Sequence, residues 1–524
     1  MIRSAVLAIA LSWPVAFVPA AHAHEKSPPP AAVVGDLGDT TFPNSGAPAA
    51  QAEFLRGLLL LHSFEYDAAR GAFQAALGKD PGFYMASWGE AMTFNQPIWG
   101  EQDLQAARAV LARVGPDREA RLAKAPTGRE RGYFEAIEAL YGAGGKEERD
   151  ARYNAALGEL VRRYPDDLDA RAFYALSWLG LTGAVRDTAN YMRAAAEAEA
   201  VYEVNKRHPG ALHYLVHAYD DPVHAPLGLR AARLYGKVAP AASHAQHMPS
   251  HIFFALGMWD DAIEANIASL ATARGQGHGG YHALEWLAYA WLQQGHREEA
   301  AKLLRIVEAD VAKEPTQANR TSLAFVRATW LAETGGGAEV DAWPGVDEAG
   351  IASIYSFSAH DFARGVTAAR NGDVSHAREL LGQMRLRNAA ARERVAGVVA
   401  SRYDTVTPEE AEQGSLLARA LEGAILFSEG QQEEGIARVR EAIATAETIP
   451  FEYGPPFSAK PLNELLGDLL LAAGRAEEAA VAYQRCLGIM PNRRLSVQGL
   501  TAARAAAWKC RHCSEGEASA ASGG

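Results

Sequence analysis

The sequence predicts an all-α protein built as a solenoid of helix-turn-helix repeats, and three observations carry that expectation. A 34-residue internal period recurs along the chain. Ala, Leu, Glu and Arg follow a 3.6-residue hydrophobic periodicity, with no segment that alternates like a strand. The composition is globular, with 48% hydrophobic and 22% charged residues in 524, enough chain for an extended array.

The N-terminus reads first as an address. Met1-Ile2-Arg3, the apolar run from Ala5 to Val18 and then Ala21-His22-Ala23 have the charged, apolar and small-x-small order of a secretory signal peptide cleaved after Ala23. The expectation is an exported protein, periplasmic in a cell with two membranes and otherwise secreted. No later apolar run reaches the length of a membrane span. From His24 to about Pro48 the chain is rich in Pro, Gly and small residues and reads as a disordered tether.

The repeats begin at Ala50. Between Ala50 and Phe83, Gly57, Ala69, Phe73, Ala76 and Pro81 stand at positions 8, 20, 24, 27 and 32 of a 34-residue unit. Small residues at 8, 20 and 27 let two antiparallel helices approach, an aromatic at 24 fills the gap, and Pro closes the second helix. Lys460 to Arg493 repeats the pattern with Gly467, Ala479, Tyr483, Cys486 and Pro491. Weaker copies start near Ser243, Tyr281, Ser358 and Leu416, and degenerate pairs near 84, 134, 168, 210 and 319. The array runs from 49 to 508, with Asn492 to Trp508 as an amphipathic helix covering the last apolar face. The residues from 509 to 524 read as a disordered tail.

On these anchors the chain resembles the tetratricopeptide repeat (TPR) family. The resemblance implies a right-handed superhelix of about ten units whose concave groove, lined by the first helix of each unit, takes a peptide, protein or small-molecule ligand. Phrases such as His213-Tyr214-Leu215-Val216-His217 and His244-Ala245-Gln246-His247-Met248-Pro249-Ser250-His251 look like an exported bacterial subfamily rich in histidine.

Those phrases also hold the chemistry. Of sixteen histidines, seven fall between 208 and 251: His208, His213, His217, His224, His244, His247 and His251. His213 and His217 stand one helical turn apart on one face. His244, His247 and His251 take groove positions 2, 5 and 9 of their unit, and His282 and Glu285 take positions 2 and 5 of the next. Imidazoles with a carboxylate suit a transition metal, Zn, Cu or Fe. Asp220 and Asp221 serve either as ligands, as acceptors that fix a histidine tautomer, or as the cap of the next helix. Glu285 and Asp221 are the candidate bases. Pro249 leaves two geometries open, a kinked helix from His244 or a helix that starts at Pro249. Polar groove candidates elsewhere are His62, Glu90, Asn95 and Trp99, with Lys460, Glu464 and Asp468 in the last full unit.

Other signals recede. The net charge of −12 argues against a nucleic-acid partner. Cys510-Arg511-His512-Cys513 lacks the His that would follow a haem-attachment pair and reads as a tail disulfide. His24, if it becomes the N-terminus, offers an amine and an imidazole to copper. The reading is an exported repeat protein with a His-rich metal centre in its groove that binds a ligand or partner. Its rivals are a metal-dependent oxidoreductase or hydrolase using the same cluster, and a metal-free scaffold for envelope complexes.

Overall fold

A computed structural model describes residues 35–181, 186–276, 279–336, 343, 345–395, 406–449 and 459–521, with side chains as far as 509. The expected leader, the expected tether as far as residue 34 and the side chains of Cys510 and Cys513 lie outside the described residues. Within them the chain forms 24 α-helices and one pair of two-residue strands, Asn95–Gln96 and Glu101–Gln102. Successive helices pack as antiparallel hairpins, about ten in all, each stacked on the next. The fold is an all-α helical-repeat array.

The repeat signature is visible as packing. In the first hairpin, Gln51–His62 and Tyr66–Lys79 meet where Gly57 faces Phe73 so closely that a Cβ on the glycine would lie 2.9 Å from the ring. Gly89, in the next helix Tyr84–Met92, presses the same ring, and its Cβ would lie 2.4 Å away. Near the other end Tyr483 is gripped alike by Gly467 and Gly499. The aromatic at position 24 therefore fills both its own hairpin and the joint to the next one.

Three stretches depart from the expected organisation. Residues 35–48 are an ordered strap rather than a tether, because Leu37 and Phe42 bury their side chains in the core and Thr40 donates to Asp169 Oδ2 at 2.8 Å. The last helix, Arg494–Ala521, continues through the expected tail. The unit at Ser243 is a kinked helix: Ser243–His247 and Pro249–Ala255 join through Met248, which keeps helical angles, and the break falls where Pro249 has no N–H to donate.

The array also curls onto itself. Trp259 Nε1 donates to the Asn492 carbonyl at 3.1 Å and Asn492 Nδ2 to the Gly257 carbonyl at 3.2 Å. Gly257 has φ +65° and lies so near Pro491 that any Cβ would strike its carbonyl oxygen. Fully buried Arg493 then ties Glu333, Glu464 and the Tyr289 hydroxyl together. At the N-terminal end the helix Gln51–His62 touches the helix Pro209–Tyr219. The expected open groove is consequently filled in this half, and its polar residues are interior ones. No described helix is long and apolar enough to cross a membrane.

Candidate metal centre

The helix Pro209–Tyr219 opens on His208, whose Nδ1 accepts from the Ala211 N–H at 3.2 Å, and Pro209 occupies its first turn. It is buried along its whole length, so His213 and His217 project into the interior. The kinked segment Ser243–Ala255 brings His244, His247 and His251 against them, and the helix Tyr281–Gln293 adds His282.

Six of the seven sequence candidates meet, as two trios. In the first, His213 Nε2 lies 3.1 Å from His217 Nε2 and 3.1 Å from His244 Nε2. In the second, His247 Nε2 lies 3.1 Å from His251 Nε2, and the His282 ring centroid is 4.4 Å from that of His247. Each trio can present its ligand atoms to one ion, with all of them within 4.8 Å of one another. Two imidazole nitrogens on one ion at about 2.0–2.1 Å are about 2.9 Å apart at a right angle and about 3.4 Å at the tetrahedral angle. The observed edges fall between.

Neighbouring groups fix the rings from behind. His213 Nδ1 donates to the His62 carbonyl at 2.7 Å. His251 Nδ1 donates to Asp220 Oδ2 at 2.6 Å. His247 Nδ1 faces Asn266 Oδ1 at 2.7 Å, and the amide orientation is set because Asn266 Nδ2 donates to the Ala262 carbonyl at 2.8 Å. Asn266 Oδ1 is thus an acceptor, and His247 carries its proton on Nδ1.

Burial holds His213 down to a pKa of about 3, the carbonyl bond from His62 only partly opposing it. Burial, then neighbouring imidazoles, also keep His217, His244 and His247 well below the ordinary range. Neutral rings are the form a metal needs. Phe64, unmarked in the sequence, packs its ring 4.2 Å from His213 and within 6 Å of His217 and His244. Behind it lies a cavity of only about 20 Å³, room for about one water. The opposite edge is open, where His282 is exposed and His244 half-buried beside Trp99, whose ring is 5.9 Å from it. The Trp286 ring lies tilted against His251, 4.4 Å between centroids, and packs on the inner side of this trio.

The remaining candidates take other roles. Glu285 stays outside both trios; burial pushes its carboxyl up to about 8, with the Ser322 hydroxyl opposing. Asp221 is not a free base, since Oδ1 accepts from the Val223 and His224 N–H groups and Oδ2 pairs with Arg186 and His224 Nδ1. It secures the turn before the helix Ala225–Val238, while Asp220 orients a ring. His62 lies outside both trios, in a third buried group with Asp169 and His208 whose ligand atoms also converge: Nδ1 meets Tyr214 Oη and Nε2 meets Asp169 Oδ1, both at 2.9 Å. Burial raises the Asp169 pKa, but hydrogen bonds from His208 and His62 outweigh it and keep the carboxylate charged. This third group braces the backbone carbonyl that holds His213.

Glu90 is buried on Gln74 and Arg113, and Asn95 accepts from Gln102 beside the small cavity. Glu464 is fully buried on Arg493 and Lys460 and belongs to the closure of the array. Lys460 and Asp468 edge a separate cavity of about 480 Å³ in the C-terminal half.

No family model matches the chain, and no curated protein matches it. Solved structures with a similar course include the Cut9–Hcn1 hetero-tetramer of the APC/C, at 12% identity over 89% of this chain and 78% of that one, TM-score 0.33. Yeast Tom70 matches at 10% identity over 88% and 89%, TM-score 0.30. The TPR domain of P58(IPK) matches at 11% identity over 88% and 99%, TM-score 0.20.

Proposed function

We propose that this is an exported metal-binding repeat protein whose working centre is built on His247, His251 and His282. One observation carries the reading. His247 holds its proton on Nδ1 against an amide oxygen, so its Nε2 lone pair is turned toward His251 Nε2 at 3.1 Å, and His251 is oriented from behind by Asp220. Converging imidazole nitrogens at that distance are the arrangement a shared cation needs. A third imidazole from His282 completes a three-nitrogen set at the open edge of the cluster.

Three protein ligands leave a coordination position free, the arrangement of sites that act on a ligand rather than merely brace a fold. A bound ion of the Zn, Cu or Fe type supplies Lewis acidity and lowers the pKa of a water molecule. The protein supplies oriented imidazoles, an apolar back wall at Phe64 and Trp286, and access past His244 and His282. The reading therefore favours metal-dependent chemistry on a small ligand. The larger C-terminal cavity, edged by the Lys460–Asp468 ion pair, supports a second role, binding a peptide or small molecule. Export rests on the leader's residue order.

Elemental analysis of untagged protein purified without chelators tests the metal reading. At least one equivalent of Zn, Cu or Fe is expected, lost in His247→Gln/His251→Gln and held 10- to 100-fold more weakly in Asp220→Asn. Metal-free protein that takes up no added ion refutes it.

A further inference from the structure

We infer that His213, His217 and His244 hold a second ion, and that the six histidines form one dinuclear centre whose ions share a solvent-derived bridging ligand. This rests on the metal reading of the His247 trio.

Continuity of the cluster is the first argument. The His217 and His251 ring centroids, from different trios, are 6.2 Å apart, and those of His244 and His247 are 6.4 Å apart. Within the first trio His217 and His244 are themselves 6.4 Å apart. No gap divides the trios, so ions drawn to each lie near enough to share a ligand, as paired metal sites about 3.5–4 Å apart do.

The second argument is ligand number. Six imidazoles exceed what one tetrahedral ion accepts, and the two sets are oriented independently. The first is fixed by the His62 carbonyl, the second by Asp220 and Asn266.

The third is charge. Neither trio includes a carboxylate, and Asp220 reaches the cluster only through the far side of His251. Two dications surrounded by neutral rings repel strongly in a buried site. A hydroxide between them offsets that repulsion; it forms when a water loses one proton to solvent, and the proton leaves by the edge at His244 and His282. Phe64 and the 20 Å³ cavity behind it close the other side, so a bridging molecule enters by the same edge.

Copper(II) serves as the probe. Full-length mature protein is stripped with a chelator, titrated with Cu(II), counted by mass spectrometry and examined by electron paramagnetic resonance. Two coppers per chain are expected, with an integrated signal below half of two spins or a half-field line from coupling. His244→Gln, changed at the half-exposed edge where folding is least at risk, should bind one copper with a full, uncoupled signal. One copper in the unaltered chain overturns the dinuclear centre and leaves the metal reading intact. Two coppers with a full spin count and no half-field line, or a second copper that survives His244→Gln, also overturn it. No copper at all overturns both.

Discussion

Acidifying the metal-free protein should destabilise it steeply, starting well above the pH at which carboxylates protonate. His213 has an ordinary pKa of 6.5 and is held at about 3 in the fold. Between those values the unfolded chain takes up a proton and the folded chain does not. Stability is thus fully present above pH 6.5 and is lost as pH falls, at about 1.4 kcal/mol per pH unit for one such group. From pH 6.5 to 5 His213 alone accounts for roughly 2 kcal/mol. His217, His244 and His247 are depressed by the same burial and act in the same direction. They titrate against one another, so four protons is a ceiling. Glu285 works in reverse: its folded pKa of about 8 lies above the ordinary 4.5, so it favours the fold increasingly as pH falls through that window. The net expectation is one to three protons taken up on unfolding, roughly 1.4–4 kcal/mol per pH unit. Urea unfolding of chelator-treated protein at pH 6.5, 6.0, 5.5 and 5.0, followed by circular dichroism, measures the slope. An unfolding free energy that is flat or rises toward pH 5 would refute the placement of neutral histidines in the interior.

Three further outcomes follow from other contacts. Gly89→Ala should cost about 1–3 kcal/mol because its methyl collides with the Phe73 ring, whereas Gly71→Ala, with nothing within 4 Å, should gain about 0.5–1 kcal/mol; thermal melts of the pair separate packing from helix propensity. Arg493→Met removes the buried cation that Glu333 and Glu464 share, leaving Arg494 and Lys460 alone against them, and should lower stability by about 3–5 kcal/mol in chemical denaturation, with proteolysis beginning at the closure around residues 257 and 491. Glu285→Gln removes a carboxyl that the fold prefers neutral and should raise stability at pH 7 by about 1–2 kcal/mol after allowance for its partial exposure, the gain vanishing near pH 4.5.

The parts of this molecule legible in the sequence are those encoded over one or two turns of chain. Gly57 with Phe73 and Gly467 with Tyr483 announced close helix pairs because a glycine and an aromatic at fixed spacing have that single steric use. His213 with His217 announced a shared helix face in the same way. Pro249 marked a break but not its form, since the kink depends on Met248 keeping helical angles, which neighbours rather than the proline decide. The strap at 35–48 was misread from its composition: two side chains, Leu37 and Phe42, suffice to anchor it once a core exists to receive them. Glu285 was drawn into the ligand set by its position beside His282, and its place outside both trios is a property of the packed array.

What the sequence could not convey is curvature. Each hairpin joint adds a small rotation, and the sum over the array decides whether the inner face is a groove or a filled core. Here the sum brings Gly257 to Pro491 and the first helix to the helix of His213. The same closure that buries His62 and Asp169, 107 residues apart, makes them a brace for His213 instead of groove residues. It also strips water from His213, His217, His244 and His247 while leaving His282 exposed. A shallow groove would have left those rings hydrated, protonatable near pH 6.5 and free to rotate. Tight winding thus accounts for the depressed pKa values and the fixed tautomers together, and it explains why a repeat fold can hold a cluster that most of its surface would leave as scattered histidines.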